Sequence, residues 1–118
     1  MPDDKTTVRE LKDLVNKFIA DRDWFKYHDA KNLSMSIAIE AAELLEHFQW
    51  VRNEELAELL KDPDLKQKIE EELADIQAFL LSFANNLQID ISEALNKKMI
   101  KNAKKYPASD YHGKYKRS

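Results

Sequence analysis

A single glycine, Gly113, in 118 residues is the feature that most limits what this chain can fold into. β-Sandwiches and barrels need many tight turns, and tight turns draw on Gly and Pro. Only three prolines are present to help. A Gly-rich phosphate loop, which needs two or more glycines at fixed spacing, is excluded outright. The chain also lacks cysteine. That removes disulfides, zinc–thiolate sites, thiol catalysis and iron–sulfur clusters, and it fits a reducing, cytoplasmic setting. With 43% hydrophobic residues a core is within reach, so wholesale disorder is not expected. The length is that of one domain. No apolar run approaches the roughly 18 residues of a membrane span. The opening Met1-Pro2-Asp3-Asp4 is too acidic for a signal peptide, so no membrane partner is expected.

What remains is an all-α chain, and the apolar spacing agrees. Val8, Leu11, Leu14, Val15, Phe18 and Ile19 recur at helical intervals and predict a first helix from about Thr7 to Arg22, with Thr6 or Thr7 as its cap. Asp23 to Asn32 is rich in aromatic and polar residues without a clean period, as in a structured loop. A second helix is expected from Asn32 or Ser34 to about Trp50. Asn53 can cap a short helix through Leu60, which Asp62-Pro63-Asp64 ends. The longest helix is expected over 65–87. Asp90 and Glu93 have capping-box spacing for a last helix to Tyr106, stopped by Pro107. Short connections predict an antiparallel bundle of four to five helices. Residues 1–107 read as one domain, and 108–118 as a basic tail expected to be mobile.

The charge is unevenly placed. From Lys97 onward eight Lys and Arg stand against the single acid Asp110, which leaves the first 96 residues at −10 of a net −3. An acidic body is a poor nucleic-acid surface and a good cation surface; the basic end suits a polyanion such as a phosphate ester.

Two carboxylate pairs focus that charge. Glu40 and Glu43 lie three apart on the second helix, as Glu72 and Asp75 do on the long one. Residues three apart share a helix face. On the second helix Leu33, Ile37, Ala41, Leu44 and Phe48 form an apolar arc with Glu40 at its edge and Glu43 about 60° beyond. Leu65, Ile69, Ile76, Leu80 and Phe83 form the matching arc of the long helix, with Glu72 at the edge and Asp75 beyond. Packing the two arcs together lets four acids converge. Converging carboxylates repel and raise one another's pKa unless a hard divalent cation such as Mg²⁺ or Mn²⁺ sits among them. Two solvated helix edges are the plain alternative. A di-iron bundle would need Glu-x-x-His on two helices, and the only helical histidine, His47, is four residues after Glu43.

These residues resemble the MazG-like superfamily of all-α nucleoside triphosphate pyrophosphohydrolases, and within it the dCTP pyrophosphatase group. The likeness rests on the two acidic pairs; on Arg22-Asp23-Trp24 with His28 and Lys31-Asn32-Leu33; on Phe48-Gln49-Trp50; and on Lys98-Met99, Asn102 and Lys105-Tyr106-Pro107. It implies Mg²⁺, or Mn²⁺, held by Glu40, Glu43, Glu72 and Asp75. It implies cleavage of a nucleoside triphosphate, such as dCTP or a modified pyrimidine deoxynucleotide, to monophosphate and pyrophosphate, as nucleotide-pool house-cleaning. Lys98, Asn102 and Tyr106, with Lys105 and Lys31, would grip phosphates. Trp24, His28 and Trp50 would hold the base. Asn32 would orient a ring or cap a helix, and Phe79 would back the sugar and disfavour a 2′-hydroxyl. Val15 and Asn16 stand where some dCTP-directed relatives place a polar ring. Relatives of this kind imply a homo-oligomer, either a tetramer built as a dimer of dimers or a dimer. The competing reading is a non-enzymatic helical interaction module with a basic tail.

Overall fold

The structure is a computed structural model, and it describes residues 1–115. Among these residues all regular structure is helical. The chain divides into two compact units, Met1–Gln88 and Ile89–Ser118.

In the first unit, α1 spans Val8–Asp21. Thr7 caps it: its hydroxyl accepts from Glu10 N, while the Glu10 carboxylate accepts from Thr7 N. The C-terminus of α1 closes without glycine. Asp23 takes a left-handed conformation, φ 52°. Asp23 N donates to the Ala20 carbonyl and Trp24 N to that of Ile19. This is a Schellman closure, with the Trp24 ring set edge-on against Phe18 at 6.0 Å. A 3₁₀ turn over Phe25–Tyr27 follows.

Helix α2 spans Ala30–Glu46, starting earlier and ending earlier than the spacing predicts. The reason for the start is Asp29, whose carboxylate accepts from Asn32 N. Asn32 is therefore inside the helix, and its amide donates to the Tyr27 carbonyl at 3.2 Å. A 3₁₀ turn, Asn53–Glu55, leads into the short α3, Leu56–Leu59; the Asn53 side chain caps neither. Helix α4 spans Pro63–Asn86. Asp62-Pro63, expected only to end the preceding helix, also starts this one: Asp62 caps it and Pro63 fills its first turn.

Helix α4 packs against both α2 and α1. Its end lies beside the approach to α2, through Asn86 and His28, and its middle lies beside the end of α2, through Glu72 and His47. The two helices therefore run antiparallel. The buried apolar residues are Ile19, Leu33, Leu65, Leu81 and Ala84. Leu80, expected in the buried arc, is 44% exposed, whereas Leu81, Ser82 and Ala84 are buried. Serving two neighbours turns the inward face of α4 away from a single stripe. Ala41, expected in the arc of α2, is exposed as well. Lys12 of α1 is buried to 5% exposure.

In the second unit, α5 spans Ile91–Lys105, with Asp90 accepting from Glu93 N. A helical turn, α6, Ala108–Tyr111, follows Pro107. Within the 108–118 segment read as a tail, Tyr111 meets Tyr106, just before it, edge to face at 5.3 Å. The last three residues of that expected tail lie outside the described ones.

Candidate functional site

The α2–α4 contact brings one oxygen each of Glu40, Glu43 and Glu72 within 4.8 Å of one another. Glu40 and Glu72 are half-buried, and Glu40 Oε2 and Glu72 Oε2 are shut off from solvent with no hydrogen-bond partner. Buried polar atoms are nearly always paired, and an unpaired carboxylate oxygen is costly. Burial pushes the Glu40 carboxyl up from 4.5 to about 7, helped by the neighbouring Glu43 carboxyl and by the charges of Asp75 and Glu72. Asp75 itself is exposed and outside the group of three. One turn past Glu72 and further round α4, it meets solvent, yet its charge still acts on Glu40. Three clustered carboxylates, two of which carry a buried oxygen without a partner, are an all-oxygen donor set, and such a set fits a hard divalent cation.

One residue on this face escaped the sequence argument. His47 follows Glu40 and Glu43 at helical spacing, and its Nε2 lies 3.7 Å from Glu72 Oε1. That nitrogen is also buried without a hydrogen-bond partner. The spacing Glu40, Glu43, His47 carries the signal: positions seven apart return to one face.

A second feature sits further along α4. Asn16, Phe25, His28, Ser82, Asn85 and Asn86 line a cavity of about 220 Å³. His28 stacks on Phe79 with ring centroids 6.5 Å apart. Its Nδ1 lies 2.7 Å from the Trp24 carbonyl, to which it donates, so Nε2 of the neutral ring is an acceptor. The Asn85 amide donates to the Lys12 carbonyl at 3.1 Å and that of Asn86 to the His28 carbonyl at 2.8 Å. Both carboxamides are thereby oriented, leaving each oxygen as an acceptor. Of the expected base-holding residues, only His28 lines this cavity. Trp24 meets Phe18 edge-on and is 42% exposed, Trp50 is 86% exposed, and Lys31 is exposed. In the second unit, Lys98, Lys105 and Tyr106 are exposed on and just after α5. Asn102 is half-buried and contacts the Met99 sulfur at 3.7 Å.

The family model described as MazG-like matches residues 35–118, more than half of the chain. The chain belongs to the MazG-like family. The matched region of this MazG-like chain includes both acidic pairs and α5. A solved pyrophosphatase structure from Archaeoglobus fulgidus is 46% identical, with a TM-score of 0.78, covering 84% of this chain and 91% of that one. Among curated proteins, dCTP pyrophosphatase 1 of Bos taurus is 34% identical over 101 residues, and that of Homo sapiens 32% over 102. Each match covers 86% of this MazG-like chain and 60% of the relative, so the chain spans about three fifths of the length of those curated relatives.

Proposed function

We propose that this chain is a divalent-cation-dependent nucleoside triphosphate pyrophosphohydrolase. Water and a deoxynucleoside triphosphate go in, the bond between the α and β phosphates breaks, and a monophosphate and pyrophosphate come out. The observation that carries the reading is the cluster of Glu40, Glu43 and Glu72 with its two orphaned buried oxygens. The printed names of the relatives, dCTP pyrophosphatase and pyrophosphatase, support the reaction class.

Glu40, Glu43 and Glu72, with Asp75 from the rim, would hold Mg²⁺ or Mn²⁺. When bound, such an ion neutralises phosphate charge and stabilises the departing pyrophosphate. The chain's own part is then proton transfer and placement. Glu40, half-buried at the edge of the apolar arc of α2, is the carboxylate best placed to act as the base. Glu40 accepts the proton of the attacking water. The Phe79 and His28 rings offer a flat wall for the sugar, and Phe79 leaves no polar partner for a 2′-hydroxyl. The base enters the cavity beyond. Ser82 follows Phe79 by one turn of α4, so sugar and base would lie in line along that helix. The acceptors Asn85 Oδ1, Asn86 Oδ1 and His28 Nε2 favour a base bearing an exocyclic amino group, which suits dCTP or a modified cytosine. Lys31 of the first unit would bind phosphate oxygens, and Lys98, Asn102, Lys105 and Tyr106, on and just after α5 within the second unit, carry groups of phosphate-binding chemistry.

The assembly would be a homo-oligomer, a tetramer built as a dimer of dimers or a dimer. Few apolar side chains are buried, while Phe18, Ile39, Leu45, Leu95 and Ile100 are each at least half exposed. A second copy of the chain would cover side chains of this kind. Location in the cytoplasm and a role in clearing excess or non-standard nucleotides complete the reading.

The test is incubation with Mg²⁺ and a panel of ribo- and deoxynucleoside triphosphates, followed by product separation. Monophosphate plus pyrophosphate, fastest with an amino-bearing deoxynucleotide, is expected. Diphosphate plus phosphate would show that the wrong bond is assigned.

A further inference from the structure

We propose that His47 is a positioning residue that orients the Glu72 carboxylate toward the bound cation. This rests on the metal reading above. The buried His47 Nε2, which has no hydrogen-bond partner, lies 3.7 Å from Glu72 Oε1 across α2 and α4, and the other oxygen of that carboxylate, Oε2, is buried without a partner as well. That separation is just beyond a hydrogen bond. The Glu72 side chain is 18% exposed and that of His47 22%, so solvent does little to relieve either. A small rotation of the carboxylate closes the gap. The Nε2–H of His47 then donates to one oxygen of Glu72, and the other is turned toward Glu40 and Glu43.

The geometry favours this over direct ligation. The carboxylates of Glu40, Glu43 and Glu72 converge as one group, whereas the imidazole is not a member of it. His47 is beside Glu72, with its Nε2 3.7 Å from Oε1. Its backbone supports the placement: His47 caps the C-terminus of α2, and its N–H is bonded back to the Leu44 and Leu45 carbonyls. The ring therefore starts from an anchored position. Outer partners of this kind fix ligand orientation, and their loss typically weakens metal binding by about 10- to 100-fold.

The experiment compares wild-type protein, His47→Leu and His47→Gln. Free Mn²⁺ is titrated by electron paramagnetic resonance, and unfolding of the metal-free proteins is followed by circular dichroism. Leu fills similar space without a donor; Gln carries an N–H at similar reach. His47→Leu is expected to weaken Mn²⁺ binding by about 10-fold or more while the metal-free protein unfolds at or above the wild-type temperature. His47→Gln is expected to recover most of that affinity. Wild-type affinity in His47→Leu would overturn the positioning role while leaving the metal centre intact. So would a His47→Gln variant as weak as His47→Leu, which would reduce the residue to packing. Failure of the wild-type protein to bind Mn²⁺ would overturn the metal centre and this inference together.

Discussion

Asn86, at the end of α4, donates to the carbonyl of His28 at 2.8 Å, across 58 positions of sequence. The bond ties the turn that carries the His28 ring to the helix that carries Glu72 and Asp75. Removing it with Asn86→Ala should cost at most about 1 kcal/mol, since a hydrogen bond between exposed groups is partly replaced by water. The expected functional effect is larger in KM than in kcat, because the His28 ring would lose its place while the acids keep theirs. Steady-state kinetics beside a thermal melt checks this. A fall in kcat with KM unchanged would contradict it.

The acids should separate function from folding. Glu43→Ala and Asp75→Ala are expected to lose turnover by more than the roughly 100-fold that outer-partner mutations reach. Each should keep its helical circular dichroism, and the metal-free melting temperature should hold or rise, because like-charge repulsion around Glu40 is relieved. Retained pyrophosphate release in both variants would remove the acidic cluster from the reaction.

The raised carboxyl of Glu40 makes a signed statement about pH. The folded chain holds this proton up to about 7, against 4.5 for the ordinary group, so the folded state binds more protons than the unfolded one between these values. Stability of the metal-free protein should therefore fall as pH rises from about 4.5 to 7 and level off above. Melting temperatures in a chelator across this range should show the decline, and Glu40→Gln should flatten it. Saturating Mg²⁺ should also offset it, since the ion selects the ionised carboxylates. A wild-type slope no steeper than that of Glu40→Gln would contradict the assignment.

Assembly gives a further check. The single chain has a mass of 13.8 kDa. Sedimentation at micromolar protein is expected to give a multiple of it, because half-exposed residues such as Ile39, Leu45 and Leu95 need covering. A monomer mass would sink this prediction.

Phe79 bears on the sugar. Phe79→Ala should narrow the preference for deoxy- over ribonucleotides by removing the aromatic wall next to His28. Competition between matched substrates measures it. An unchanged ratio would clear Phe79 of that role.

Much of this was legible along the chain. The helices near Val8–Asp21, Pro63–Asn86 and Ile91–Lys105 follow from apolar spacing and capping residues, and these signals are local. The start of α2 was misread because Asp29, Asn32 and Ser34 all have capping chemistry, and only the folded backbone shows that Asp29 accepts the bond. Trp24 looked like a base platform. Its position two residues past the α1 cap also sets its edge against Phe18, with 42% of the residue left exposed.

The sequence by itself determined that the chain is helical, and that Glu40 and Glu72 stand at the edges of apolar arcs with Glu43 and Asp75 just beyond them. A helix repeats every 3.6 residues, so neighbours on a face can be computed from spacing alone. Tertiary structure alone decided that Asp75 stands outside the cluster, that His47 meets Glu72, and that residues from 16 to 86 enclose one cavity. Those relations depend on how far one helix slides and rotates against another. That register is set by the fit of side chains remote in sequence, and no local period encodes it.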